Sequence, residues 1–207
     1  MDVFAHALWA GAGVLPAHSR RAITPRVATA TVALAVAPDS PHLLPIVGCS
    51  VFGAGTAATV EGYAIAMPGQ EPAVPSFVDW LSHNLHCLTH SAIVAGGVTL
   101  LLWIWLKSLW IPLPGWWSHI VIDVFTHSAD YNPSPVLWPI AAQGFDRVAW
   151  NTPVFMTLDY LALAAVYLWL VQRRRRERTG RRARWPIPGR RGSERSLPLR
   201  SCWLPPD

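Results

Sequence analysis

The sequence predicts an all-α protein: an integral membrane helical bundle of about four transmembrane helices, with an apolar helix at its N-terminus and a disordered, basic C-terminal tail. Three observations carry this expectation. Only 14% of the residues are charged, against about a quarter in soluble globular domains. Several apolar stretches approach the length a bilayer core requires. Many of the twelve tryptophans lie near the ends of those stretches (Trp103, Trp105, Trp110, Trp116, Trp117, Trp138, Trp169), as in an aromatic belt at a membrane interface. A Trp-rich soluble core is the competing explanation, but so charge-poor a surface disfavours solubility.

The elements follow in chain order. Residues 3–15 are apolar but too short to span a bilayer unaided, and suit an interfacial or bundle-packed helix. Residues 27–47 form the first candidate span, broken by Pro38, Asp39 and Pro41. Residues 91–110 are almost uninterrupted until Lys107. Residues 114–127 are short and carry three ionisable groups. Residues 153–171 cover about 19 positions, enough for a hydrocarbon core at ~1.5 Å per residue. The connection 48–82 is rich in Gly, Ala and Pro and long for a loop. Two parts result: a membrane-embedded metal-binding helical domain, 1–172, and an Arg-rich cytoplasmic tail, 173–207, without periodicity after Trp185.

The net charge of +5 is a property of that tail, since twelve of the seventeen basic residues lie beyond position 172. A basic run can bind nucleic acid. One that directly follows an apolar helix is better suited to anionic lipid headgroups on the cytoplasmic face. With four crossings, Arg20, Arg21, Arg26, Lys107 and the tail all fall on that face, and only Arg147 does not. The expected location is a bacterial inner (plasma) membrane, with the C-terminus cytoplasmic. Cys49, Cys87 and Cys202 are widely spaced and give neither a disulfide framework nor a zinc knuckle. The first residues lack the basic region of a signal peptide, so they are not read as a cleaved leader.

The chemistry concentrates in His119-Ile-Val-Ile-Asp123-Val-Phe-Thr-His127. Residues four apart share a helix face, so these three ionisable groups form one stripe among aliphatic neighbours. Such a stripe in an apolar helix needs a common partner. A divalent cation, zinc by ligand type, satisfies imidazole and carboxylate together; a proton relay or a set of buried hydrogen bonds is the alternative. His90 opens the cleanest apolar helix and is read as a further ligand. His83 and His86 lie in a loop-like stretch and are read as solvated. Asp39 and His42 sit at a helix break, where Asp39 is equally a turn former. His6, among Phe4, Leu8 and Trp9, has no local partner.

These residues also carry a resemblance. Met1-Asp-Val-Phe-Ala-His6-Ala-Leu-Trp9, Pro38-Asp39, Leu88-Thr89-His90-Ser91, Gly115-Trp-Trp-Ser-His119 through Thr126-His127-Ser128, Pro133-Ser-Pro-Val-Leu-Trp138-Pro139 and Phe145-Asp146 resemble successive blocks of the YdjM-type (DUF457) family of membrane-bound, metal-dependent hydrolases. The resemblance covers about half the chain. It implies a polar core of His6, Asp39, His90, His119 and Asp123, with His127 in a segment similar to that of a subgroup. The order of ligand types is also similar to that of zinc-dependent phospholipases C and P1-type nucleases. Two departures stand out. Many relatives read Pro-Asp-x-Asp-His where this chain has Pro38-Asp39-Ser40-Pro41-His42, and His-Arg-Gly where it has Leu85-His86-Cys87. A second metal and a role for His42 are therefore in question.

The expected function is a metal-dependent hydrolase. The metal ligands would come from His6, Asp39, His90, His119, Asp123 and His127, and Asp39 or Asp123 would serve as general base. A phosphodiester or lipid-linked ester in the membrane is the expected substrate. A non-catalytic scaffold with a structural metal is the second reading. Ion or proton transport is the third, and it needs polar groups across the whole bilayer. Apart from Asp159, the inner halves of the second and fourth spans supply few.

Overall fold

The computed structural model describes residues 1–20, 22–53, 57–66, 70–129, 133–141 and 143–183. Among these, the chain is all-helical, with eight α-helices, one 3-10 turn and no strand. It divides into compact units Met1–Leu170 and Val171–Asp207.

Helix α1 (Val3–Ser19) starts where the Asp2 carboxylate accepts the backbone N–H groups of Phe4 and Ala5, an N-cap that satisfies donors the helix cannot. Helix α2 (Pro25–Val36) starts with Thr24 as N-cap and Pro25 in its first turn. The prolines at 38 and 41 end it as the sequence predicts. A 3-10 turn (Ala37–Asp39) follows, then α3 (Leu43–Phe52), bent 67° from α2.

The long connection expected over 48–82 is mostly helical where described. It contains the end of α3, α4 (Ala57–Ile65) and the start of α5 (Ser76–His90). His83 and His86 therefore lie on a helix, not in a loop. Helix α6 (Ala92–Leu106) leaves α5 at 60°. The hinge is Ser91, whose hydroxyl oxygen accepts the Ile93 and Val94 N–H groups while its proton goes to the Trp138 carbonyl, 2.6 Å away. The Ala92 N–H donates to the Val136 carbonyl, so segment 133–140 holds the hinge from outside. Helix α6 stops at Lys107, which adopts a left-handed φ of 52°.

Helix α7 (Leu113–Thr126) packs against α2 so closely that a Cβ on Gly115 would overlap the Thr31 carbonyl. Only glycine permits this approach. Trp116 and Trp117, expected in an interfacial belt, are half-buried here. Their indole N–H groups reach the Thr89 carbonyl at 2.7 Å and the Thr99 hydroxyl at 3.0 Å, so they tie α7 to the end of α5 and to the middle of α6. Helix α8 is Pro153–Ala183. In its first half, Asp159 accepts the Trp9 indole N–H and Tyr167 donates to the Leu8 carbonyl, which anchors α1.

One helix among the described residues, Pro153–Thr179, is long and apolar enough to cross a membrane; the bent pairs α2–α3 and α5–α6 raise the number to three. The expected fourth crossing is not matched by α7. Its fourteen residues rise about 21 Å, short of a hydrocarbon core of ~30 Å. Large apolar side chains on α6 and α8 point outward: Trp105, Leu101, Val154 and Leu161 are each more than 60% exposed. Patches of that size on a soluble monomer mark a surface that something covers.

In the second unit the tail was expected to be disordered from 173, but residues 173–183 are helical. Arg is a good helix former, and Arg173 pairs with Glu177 one turn on at 3.2 Å. The remainder of that expectation, 184–207, lies outside the described residues, as do Cys202 and Arg21.

Replacing Gly115 by Ala should lower thermal stability in detergent by about 1–3 kcal/mol, the usual cost of overpacking. Gly13→Ala, where a Cβ meets nothing within 4 Å, should leave it unchanged or slightly raised.

Candidate metal centre

Four side chains from three separate segments converge. Asp39 comes from the 3-10 turn, His90 from the last residue of α5, and His119 and Asp123 from one face of α7. One ligand atom from each lies within 4.8 Å of the others, and the group can hold a metal ion.

Local sequence explains each placement. The Pro38–Pro41 break ends α2 so that Asp39 projects where a continuing helix would not put it. The Thr89 hydroxyl lies 2.9 Å from the Pro38 carbonyl and fastens that turn to the end of α5. His90 follows at once, and Ser91 then turns the chain away. On α7, Gly115 lets the helix approach α2, and one turn later the His119 Nδ1–H donates to the Ala35 carbonyl at 2.8 Å.

That last contact fixes the chemistry of the ring. A carbonyl oxygen only accepts, so Nδ1 carries a proton, and in the neutral ring it is the Nε2 lone pair that faces the other three side chains. His90 repeats the device, with Nδ1 2.9 Å from the His86 carbonyl. Two Nε2 atoms thus face each other at 3.1 Å. Such orientation of a histidine by a backbone carbonyl is the usual support of a metal-binding ring.

The distances fit a small cation. His119 Nε2 lies 3.0 Å from Asp123 Oδ2 and 3.5 Å from Asp39 Oδ1; His90 Nε2 lies 3.5 Å and 3.4 Å from the same atoms. Ligands set tetrahedrally at ~2.0–2.1 Å from zinc stand about 3.3–3.4 Å apart. Asp123 Oδ2 is buried and faces the two Nε2 nitrogens. A buried carboxylate among neutral rings is costly, and a cation at the shared focus removes the cost.

His6 and His127 belong to a different layer. His6 Nε2 is 3.0 Å from Asp123 Oδ1, the carboxylate oxygen facing away from His90 and His119, and its ring stacks on that of His119 at 3.9 Å. The Met1 amino group contacts the same oxygen at 2.7 Å, and His127 Nε2 lies 3.5 Å from it. Neither histidine is in the four-residue group. Burial pushes the His6 imidazole below its ordinary range, although the Asp123 carboxylate pulls the other way; its Nε2 faces a carboxylate oxygen, which only accepts, so Nε2 carries a proton. Of the remaining candidates, His86 stacks on His90 with centroids 4.0 Å apart, and His42 meets His86 edge-on. His83 is exposed and pairs with Cys87 Sγ at 3.5 Å.

Thr89, Ser91 and Gly115 support the site without any role that their sequence context assigns. Their signal was adjacency to His90 and a Pro-Gly pair one turn before His119. The carbonyls of Ala35 and His86 leave no trace in a sequence. No protein-family model, curated protein or solved structure matches this chain.

Replacing His119 and Asp123 together by Ala should remove the bound metal, measured by elemental analysis of purified protein. Thr89→Val, which frees the turn bearing Asp39, should weaken affinity by about 10–100-fold, as loss of outer-layer support commonly does. Unchanged stoichiometry in the double variant excludes this centre.

Proposed function

We propose that the protein is a membrane-bound, metal-dependent hydrolase whose metal is zinc, in keeping with the YdjM-type resemblance. The observation that carries the reading is the asymmetry of the four-ligand group. His90, His119 and Asp123 are at most 1% exposed, whereas the Asp39 side chain is 19% exposed and lines a cavity of about 330 Å³. A structural zinc site is closed on all sides; a catalytic one keeps a face open to water and substrate.

Zinc held by Asp39, His90, His119 and Asp123 would supply Lewis acidity at the cavity floor. The protein's own groups then have distinct tasks. His90 and His119, protonated at Nδ1, hold their rings in the neutral ligand form. Asp123 is braced through Oδ1 by His6. Asp39, the carboxylate of the group that lines the cavity, is the one to take a proton from attacking water. Outward-facing apolar side chains on α6 and α8 favour lipid around the bundle, and hence a lipid-linked ester or phosphodiester as substrate. The arginine flank after α8 favours a cytoplasmic C-terminus in a bacterial inner membrane. A fourth crossing would need the apolar residues 109–111 to lengthen the passage begun by α7.

Zinc-loaded protein should hydrolyse at least one member of a panel of phosphodiesters, phospholipids and carboxylic esters. Asp39→Asn should lower kcat by 100-fold or more, as expected of a lost general base. A loaded, folded protein inert on the whole panel removes the hydrolase and leaves a structural metal. With four crossings, single cysteines placed at Arg26 and Arg173 should both resist an impermeant reagent added outside intact cells; labelling of one alone implies an odd number of crossings.

A further inference from the structure

Helix α7 carries a second stripe beside the one that bears His119 and Asp123. Ser118, Val121, Ile122 and Phe125 recur at the three- and four-residue spacing that aligns side chains on one face of a helix. With Phe155 and Asp159 of α8 and Trp9 of α1, they line a groove of about 410 Å³. The Trp9 indole N–H donates to Asp159 at 2.9 Å and so fixes α1 to α8 at the groove wall. Val121 and Phe125 are each more than half exposed, so the groove lies open along α7. From Thr126 to Ser118 it follows eight residues of helix, about 12 Å at 1.5 Å per residue.

The wall supplied by α8 belongs to Pro153–Thr179, the helix long and apolar enough to cross a membrane. Phe155 and Asp159 fall in its first two turns. The groove therefore starts near one end of that span and faces hydrocarbon. Its polar atoms lack partners. Thr126 is only 6% exposed, and its hydroxyl, like Asp159 Oδ2, is buried with no hydrogen-bond partner among the described residues. A buried, unpaired hydroxyl is costly. It can donate to an ester carbonyl, the group that heads an acyl chain. Met1 lines both this groove and the cavity over the metal group, so the two spaces share a wall residue.

We infer that the groove between α7 and α8 holds one acyl chain of a membrane lipid, with its ester group at Thr126 and its head toward the metal-bearing cavity. Calling that lipid a substrate rests on the hydrolase reading; holding the chain does not. The test uses the purified, zinc-loaded full chain in nanodiscs doped with a phospholipid that bears a diazirine on its acyl chain. Irradiation and peptide mass spectrometry should place adducts on Val121, Ile122, Phe125 and Phe155 in several-fold excess over Leu101 and Trp105 of α6, which are more exposed. Val121→Trp, which fills the groove, should remove that excess at unchanged zinc content. An ether-linked analogue, which has no carbonyl, should label the groove roughly fivefold less, the worth of one neutral hydrogen bond. Thr126→Val should abolish that difference. Even labelling of the outward-facing helices, or an ester preference that survives Thr126→Val, overturns the inference. A dimer that Val121→Trp breaks, with no lipid adduct in the groove, assigns the groove to a second copy of the chain and also overturns it. Groove adducts on a protein that cleaves no ester remove the hydrolase and leave the lipid site standing. Turnover of a soluble short-chain ester without groove adducts does the reverse.

Discussion

Two imidazole nitrogens and two carboxylate oxygens point at one buried spot, and each of them is electron-rich. The backbone carbonyls of Ala35 and His86 hold one ring proton of each imidazole on the far side, so in the neutral rings the near-side nitrogens are lone pairs. Close packing of lone pairs in a medium of low polarity is unfavourable unless a positive charge lies among them. Much of the helical arrangement reads as the means of bringing these four atoms together. Gly115 lets α7 touch α2, Thr89 fastens the turn carrying Asp39, and Ser91 ends one helix at His90 and begins the next.

The site is built in two layers on a single carboxylate. Asp123 turns Oδ2 toward His90 and His119 and gives Oδ1 to His6 and the Met1 amino group. Its orientation is therefore set from behind by groups that take no part in the four-residue cluster. Stacking of His6 on His119 adds a second restraint. Such support fixes ligand geometry without adding ligands, and it explains why α1, too short to cross a bilayer, is tied to α8 through Trp9 and Tyr167.

The parts of this arrangement that obey a period were legible in the sequence. His119 and Asp123 share a face because a helix turns every 3.6 residues, and the break at Pro38–Pro41 follows from a ring that cannot continue a helix. Contacts between distant segments were not legible. No local pattern distinguishes a histidine that binds from one that braces, so His6 and His127 stood beside His90 as equals. Residues 76–86 were read as loop because the apolar face of α5 is interrupted by Asp79, His83, Asn84 and His86, residues that face the cavity or solvent instead of a core. Trp116 and Trp117 were assigned to an interface because they lie near the ends of apolar stretches; their indole N–H groups reach the end of α5 and the middle of α6.

The most direct test is the X-ray absorption spectrum of the purified full chain loaded with zinc. Nitrogen and oxygen ligands at about 2.0–2.1 Å, with the outer-shell scattering of two imidazoles and no sulfur, is the predicted result. A sulfur shell near 2.3 Å, pointing to Cys49 or Cys87, or a protein that retains no metal, would contradict the account.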